Sequence, residues 1–221
     1  MPVVAILMES TCSCSGDMAL TPSTMLPLGT DLPDFQLPTT SGASLTRSAL
    51  DQKPVLMMVI CAHCPFVKHI EPELTRLDRD YRDRIQLLAV SSNSLITHPQ
   101  DGADQLMKQA ERHGRSFPYL IDQDQTLVRS LRAACTPEFY LFAGSHESSR
   151  QTLQYRGQLD GSRPVNDQPL DGSDLRTALN AVLAGEPVNP DQIPSVGCNV
   201  KWHPGLEPDW FCLLYTSPSP R

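Results

Sequence analysis

Two cysteines stand two residues apart in VICAHCPFVKHIEP, residues 59–72, where an apolar run gives way to a helical pattern. Three chemistries suit such a pair: half of a metal clip, a short structural disulfide, or a dithiol that exchanges with other disulfides. A zinc site needs a second, closely spaced Cys/His pair; Cys135 and Cys198 are solitary. A permanent bridge across two residues closes a loop too short to stabilise much. The redox couple is the strongest of the three readings, and neither a metal nor a cofactor is expected.

A pair placed between the end of a strand and the start of a helix is activated by its position. The free N–H groups and positive dipole end of the first helical turn stabilise a thiolate. In such motifs the thiol pKa falls from about 8.5 to roughly 3.5–7.5. Cys61, at the strand end, is then the attacking thiol, and Cys64, one turn on, resolves the mixed disulfide. His63 either adds a positive charge that favours the reduced form and makes the couple more oxidising, or is a solvent-facing loop residue. Pro65 suits the first helical turn, where its missing N–H costs nothing.

The elements that hold the pair can be read from periodicity. PVLMMVI is a continuous apolar run, the look of a strand covered on both faces in a parallel sheet. Phe66, Val67, Ile70, Leu74, Leu77 and Tyr81 form one stripe of an amphipathic helix, with a kink expected near Ile70 because of Pro72. Residues 85–93 read as a second buried strand. A helix carrying Leu106 follows and stops at Gly114, and further strands are expected at 117–121, 139–142 and 153–159. Residues 126–134 are helical by pattern, and a closing helix through Leu175 to Leu183 is stopped by Gly185 and Pro187. Strands alternating with helices predict an α/β domain whose largely parallel central sheet has an antiparallel edge from residues 138 to 159.

The 221 residues carry a net charge of −7, 40% hydrophobic and 19% charged residues, with no Lys/Arg block. That argues against a nucleic-acid or anionic-membrane partner. No apolar run approaches the roughly 20 residues needed to span a bilayer, and a cytoplasmic location is expected. Seven cysteines in a chain of this length do not make a disulfide scaffold. Residues 1–25 read as a disordered or upstream segment, 26–185 as the domain and 186–211 as an extended tail on its surface. Residues 212–221, CLLYTSPSPR, resemble the translation of a sequencing adapter, which makes Cys212 foreign. Cys12 and Cys14, one residue apart, are given no role.

The strand–CAHC–helix series, followed by Thr136-Pro137 and the apolar EFYLF, resembles the thioredoxin superfamily. With LPDFQLP, CAHCPFVK, ACTPEFYLF, YRGQLDGSRP and GCNVKWHPG, residues 26–211 resemble its redoxin branch, the alkyl hydroperoxide reductase and thiol-specific antioxidant proteins. The resemblance implies a thioredoxin-like fold, a central mixed sheet flanked by helices, and a cis-proline loop in which Thr136 and Pro137 face the cysteines and pair with an extended substrate segment. It implies a thiol-disulfide oxidoreductase whose partner is a disulfide-containing protein or a small thiol, with a thioredoxin-type reductant as one source of electrons. Two alternatives are a peroxiredoxin-like thiol peroxidase, with Cys64 attacking and Cys61 in the threonine position of that family, and a noncatalytic binding module.

The sequence departs from the superfamily in two ways. Ile60 replaces the usual aromatic residue, and the strand lacks the buried acid, so proton transfer at Cys64 would use water, His63 or Glu73. Cys135 is a third thiol beside the site or a buried apolar filler; Cys198 could dock there from the tail. Arg156 and Asp160 read as a surface ion pair or turn residues.

Overall fold

A computed structural model describes residues 20–145 and 148–211. The expectations for residues 1–19 and 212–221, including Cys12, Cys14 and Cys212, lie outside the described residues. In chain order the strands and helices are β1 (Thr21–Pro22), β2 (Gln36–Pro38), β3 (Ser44–Thr46), β4 (Val55–Val59), α1 (Pro65–Tyr81), β5 (Gln86–Ser91), α2 (Ala103–His113), β6 (Tyr119–Ile121), α3 (Thr126–Ser130), β7 (Cys135–Thr136), β8 (Glu138–Ser145), β9 (Ser148–Tyr155), α4 (Ser173–Ala184) and β10 (Val196–Asn199).

The main sheet has the order β6-β5-β4-β8-β9. Its first three strands are parallel, β8 runs antiparallel to β4, and β9 closes the edge antiparallel to β8. This is the mixed sheet of a thioredoxin-like α/β domain. Every residue of β4 is buried, and the two-residue alternation explains its unbroken apolar run. Leu56 and Met58 face a core built from Val67, Leu74 and Leu77 of α1 and Leu175 and Leu179 of α4. Val55, Met57 and Val59 face the opposite core, with Leu127 of α3 and Tyr140 and Phe142 of β8.

Helix α1 runs unbroken from Pro65 to Tyr81 with Pro72 inside it. Gly114 ends α2 in the left-handed conformation, which glycine adopts without a Cβ penalty. Strand β9 begins earlier than its apolar pattern suggests, because its first half is a polar edge strand. Helix α3 is one short turn and a half, since Arg132 has positive φ and breaks the helical pattern there.

The ends of the described chain belong to the fold more than composition implied. Strand β1, within the segment expected to be disordered or upstream, pairs with β10 from the tail, and β10 pairs in turn with β7. The tail does not merely lie on the surface: Val200 and Trp202 are 1% and 5% exposed and pack into the core of the β4 odd face. Among the described residues no helix is long and apolar enough to cross a membrane.

Candidate active site: a thiol cluster at a strand–helix junction

Strand β4 delivers Cys61 to the end of the sheet, where the Ile60 N–H still donates to the Val90 carbonyl at 3.1 Å. The chain then turns, and Cys64 becomes the N-cap of α1 with Pro65 in the first turn. Across from it, the Thr136-Pro137 peptide bond is cis. The Cys61 Sγ lies 3.7 Å from the Thr136 Oγ1, and the Cys64 thiol donates to the Thr136 carbonyl at 3.3 Å. Sequence positions 75 and 72 residues apart thus converge on one threonine.

The turn between the cysteines is held by Asp101, a residue that sequence reasoning did not single out. It is 2% exposed. Its Oδ1 accepts the N–H groups of Ala62 at 3.0 Å and His63 at 3.2 Å. Its Oδ2 accepts from the His63 Nδ1 at 2.6 Å and from the Asn93 side-chain amide at 2.8 Å. The four bonds reach both the backbone and the imidazole of the CAHC turn. The sequence carries no pattern for this, because Asp101 arrives from a separate 3-10 turn, Pro99–Asp101. His63 also stacks on His98, with ring centroids 4.9 Å apart.

This arrangement revises the role expected of His63. Its Nδ1 lies 3.7 Å from the Cys61 Sγ but is bonded to a buried carboxylate. The Cys61 thiol is pushed up, first by its hydrogen bond to Cys64, then by burial and the Asp101 charge. The expected depression of Cys61 is therefore reversed. Cys64 is instead held far below the usual thiol range by hydrogen bonds from the Cys198 and Cys61 thiols, with Thr136 adding to them. When the cluster loses a proton the charge therefore settles on Cys64, at the N-terminus of α1, which then accepts from the Cys198 and Cys61 thiols.

Cys61, His63 and Asp101 also place ligand atoms within 4.8 Å of one another, the spacing of a metal-binding group. Asp101 is already saturated by four N–H donors, so a cation would have to displace bonds that hold the turn.

The other residues named from sequence are dispersed. Cys135 is fully buried and its thiol faces the Pro137 carbonyl and Glu138, with burial pushing it well up. It has the surroundings of a packed, protonated thiol. Glu73 offers no proton route to Cys64, because its carboxylate is bonded to Arg76 and Arg176. Asp160 is buried and organises a turn by accepting the N–H groups of Ser162, Asp171 and Gly172, and Arg156 binds the Leu26 carbonyl and Gln192. They form no surface ion pair. A buried acid is present after all, one position beyond the cis-proline: Glu138 accepts the N–H groups of Ala134 and Cys135, and burial raises its carboxyl. A shallow cleft beside Pro137 is bordered by Phe66, His69, Ser162, Arg163 and Val196.

The Asp101 charge has a measurable consequence. Asp101→Asn keeps an acceptor for the two backbone N–H groups but removes the charge facing Cys61. The pH midpoint of Cys61 alkylation by iodoacetamide should fall, while the Asn93 amide loses its acceptor and stability drops by about 1–3 kcal/mol. An unmoved midpoint would show that the carboxylate does not set Cys61 reactivity.

Comparison with known proteins agrees with this fold. A solved structure described as an uncharacterized conserved protein from Geobacillus kaustophilus is 40% identical, with a TM-score of 0.80, covering 86% of this chain and 99% of that one. A thioredoxin-like protein solved in its oxidised form shares the fold at 21% identity and a TM-score of 0.56, over 73% of this chain and 99% of that one. The curated Thioredoxin-like protein YneN of Bacillus subtilis (strain 168) is 27% identical over 95 residues, 43% of this chain. That match spans 54%, about half, of the length of the curated relative. The model of the AhpC/TSA family matches residues 28–157, a span that contains the CAHC turn, Asp101 and the cis-proline loop. A two-thiol strand–helix junction facing a cis-proline is thus set within a matched family span longer than half of the sequence, and the chain belongs to the AhpC/TSA family.

Proposed function

We propose that the protein is a thiol-disulfide oxidoreductase that uses Cys61 and Cys64 as a dithiol-disulfide couple on a disulfide-containing protein or a small disulfide. The observation that carries this reading is the convergence of both thiols on Thr136, at 3.7 Å and 3.3 Å, at the N-terminus of α1. The two thiols share a hydrogen bond, so one proton can pass between them. When that proton moves to Cys64, the Cys61 thiolate attacks a substrate sulfur and the partner sulfur leaves as a thiolate. Cys64 gives its proton to that leaving thiolate and attacks Cys61, which closes the Cys61–Cys64 disulfide and releases the second substrate thiolate. Two electrons pass from the protein dithiol to the substrate. A thioredoxin-type reductant would return them.

A second reading, a thiol peroxidase in which Cys64 attacks a hydroperoxide, is favoured by the depressed Cys64 thiol. Turnover of a model disulfide and of hydrogen peroxide, compared in wild type, Cys61→Ser and Cys64→Ser, separates the two. A wild type with no reversible disulfide at this site would leave only a binding module.

A further inference from the structure

The tail strand β10 is built against the site rather than beside it. It runs antiparallel to β7 with Cys198 directly opposite Thr136, the residue on which Cys61 and Cys64 already converge. Gly197 sits so close to this loop that a Cβ there would meet the Thr136 carbonyl oxygen at 2.1 Å. On the other side, the Lys201 N–H donates to the Asn93 Oδ1 at 2.8 Å, and the Lys201 carbonyl accepts from the Ser94 N–H at 2.7 Å. Cys198 is therefore fixed from both directions, in the same buried cluster as Cys64 and opposite the threonine whose carbonyl the Cys64 thiol meets. All three thiols belong to one buried cluster, in which Cys198 is 9% exposed, Cys61 1% and Cys64 0%.

We propose that Cys198 is a third exchange thiol of this site, which takes over the Cys61–Cys64 disulfide by forming a Cys64–Cys198 bond and releasing Cys61. The proposal rests on the dithiol reading above. In the step, the Cys198 sulfur attacks the Cys64 sulfur and the Cys61–Cys64 bond breaks. Cys61 leaves as a thiolate and receives the proton that Cys198 gave up. One S–S bond replaces another, and no net electrons move. The exchange carries the oxidising equivalent from the enclosed pair to the thiol most open to solvent, where a reducing dithiol can attack Cys198. Cys135, though adjacent in sequence to Thr136, has no part in it, since its thiol faces Pro137 and Glu138.

The test is a disulfide map of the full chain after treatment with one equivalent of diamide, which takes two electrons and two protons from a thiol pair. The sample is acid-quenched, alkylated with iodoacetamide, digested without reductant and read by mass spectrometry. Wild type should yield a Cys64–Cys198 linked peptide together with alkylated Cys61. Cys61→Ser should lose alkylation at both Cys64 and Cys198 and yield the same linked peptide. The wild-type map requires no variant to fold, and a thermal melt of Cys61→Ser controls for that variant. A wild-type map with the Cys61–Cys64 bond alone, or continued alkylation of both Cys64 and Cys198 in folded Cys61→Ser, would overturn the third-thiol role and leave the dithiol reading standing. A map with no bond among the three thiols would overturn both.

Discussion

Cys61→Ser and Cys64→Ser should each lower turnover of a model disulfide by on the order of 10³-fold or more, while leaving the fold intact. The expected loss follows from the chemistry of exchange. In Cys61→Ser the hydroxyl cannot form the mixed disulfide with the substrate, and in Cys64→Ser the mixed disulfide at Cys61 has lost the thiol that resolves it. Two residues that act as one unit do not contribute additively, so the double variant should be no worse than either single one. The informative difference lies with hydrogen peroxide. For a dithiol enzyme, Cys61→Ser should show no peroxide consumption beyond that of a free thiol. If it retains wild-type peroxide turnover while Cys64→Ser has none, Cys64 is the attacking sulfur and the protein is a peroxidase. A Cys61→Ala variant, which leaves no hydroxyl in the place of the thiol, reports on the shared proton. It takes one hydrogen-bond donor from Cys64, so the Cys64 thiol should titrate at higher pH than in wild type, and Cys198 should keep it below the free-thiol value.

The distances that matter in the site could not have been ordered from sequence alone, although its thiols could. Cys61 and Cys64 were visible because strand, CxxC and helix are contiguous, and local periodicity places them. The order of the main sheet was partly legible for the same reason: β4, β5 and β6 are joined by helices, while β8 and β9 form a hairpin. What periodicity does not carry is the partner of a polar side chain. Asp101 lies 38 residues from the His63 ring that it binds, in a short turn with no apolar pattern around it. Its presence makes His63 the hydrogen-bond partner of a buried carboxylate, and the Asp101 charge joins the Cys64 hydrogen bond and burial in pushing the Cys61 thiol up rather than down. Burial misled in the same way at Asp160, where the charge of an aspartate suggested the surface and its N–H acceptors put it inside.

The tail was the larger omission, for a different physical reason. Residues 186–211 are rich in proline and glycine, a composition that reads as irregular chain. A two-residue pairing such as β10 with β7 is too short for any alternation to register. Cys198 could be named as a residue able to dock beside the site, but only the register of β10 sets it opposite Thr136. Gly197 in that strand is a requirement of close approach, one of the meanings an interior strand glycine can have.

That requirement gives the second large effect. Gly197→Ala should destabilise the protein by about 1–3 kcal/mol, the usual cost of forcing an added methyl into a packed site, and should impair exchange at the same time. The added Cβ would stand 2.1 Å from the Thr136 carbonyl oxygen, 2.7 Å from its carbon and 3.2 Å from the Pro137 nitrogen. All three are backbone atoms, so no side chain can swing aside. Either β10 lifts off β7 or the cis-proline loop retreats. Lifting β10 releases Cys198 from Cys64 and loosens the segment that leads to the buried Val200 and Trp202. Moving the loop shifts Thr136 away from Cys61 and Cys64. For a chain of this size about 1 kcal/mol corresponds to roughly 2–4 °C in Tm, so a fall of several degrees should accompany slower disulfide turnover. The two escapes can be told apart by the Cys64 thiol. Loss of the Cys198 bond should raise its pKa toward the free-thiol value, whereas retreat of the loop leaves that bond in place. A Gly197→Ala protein with wild-type Tm, wild-type turnover and an unshifted Cys64 would mean that β10 is not seated on the cis-proline loop in solution.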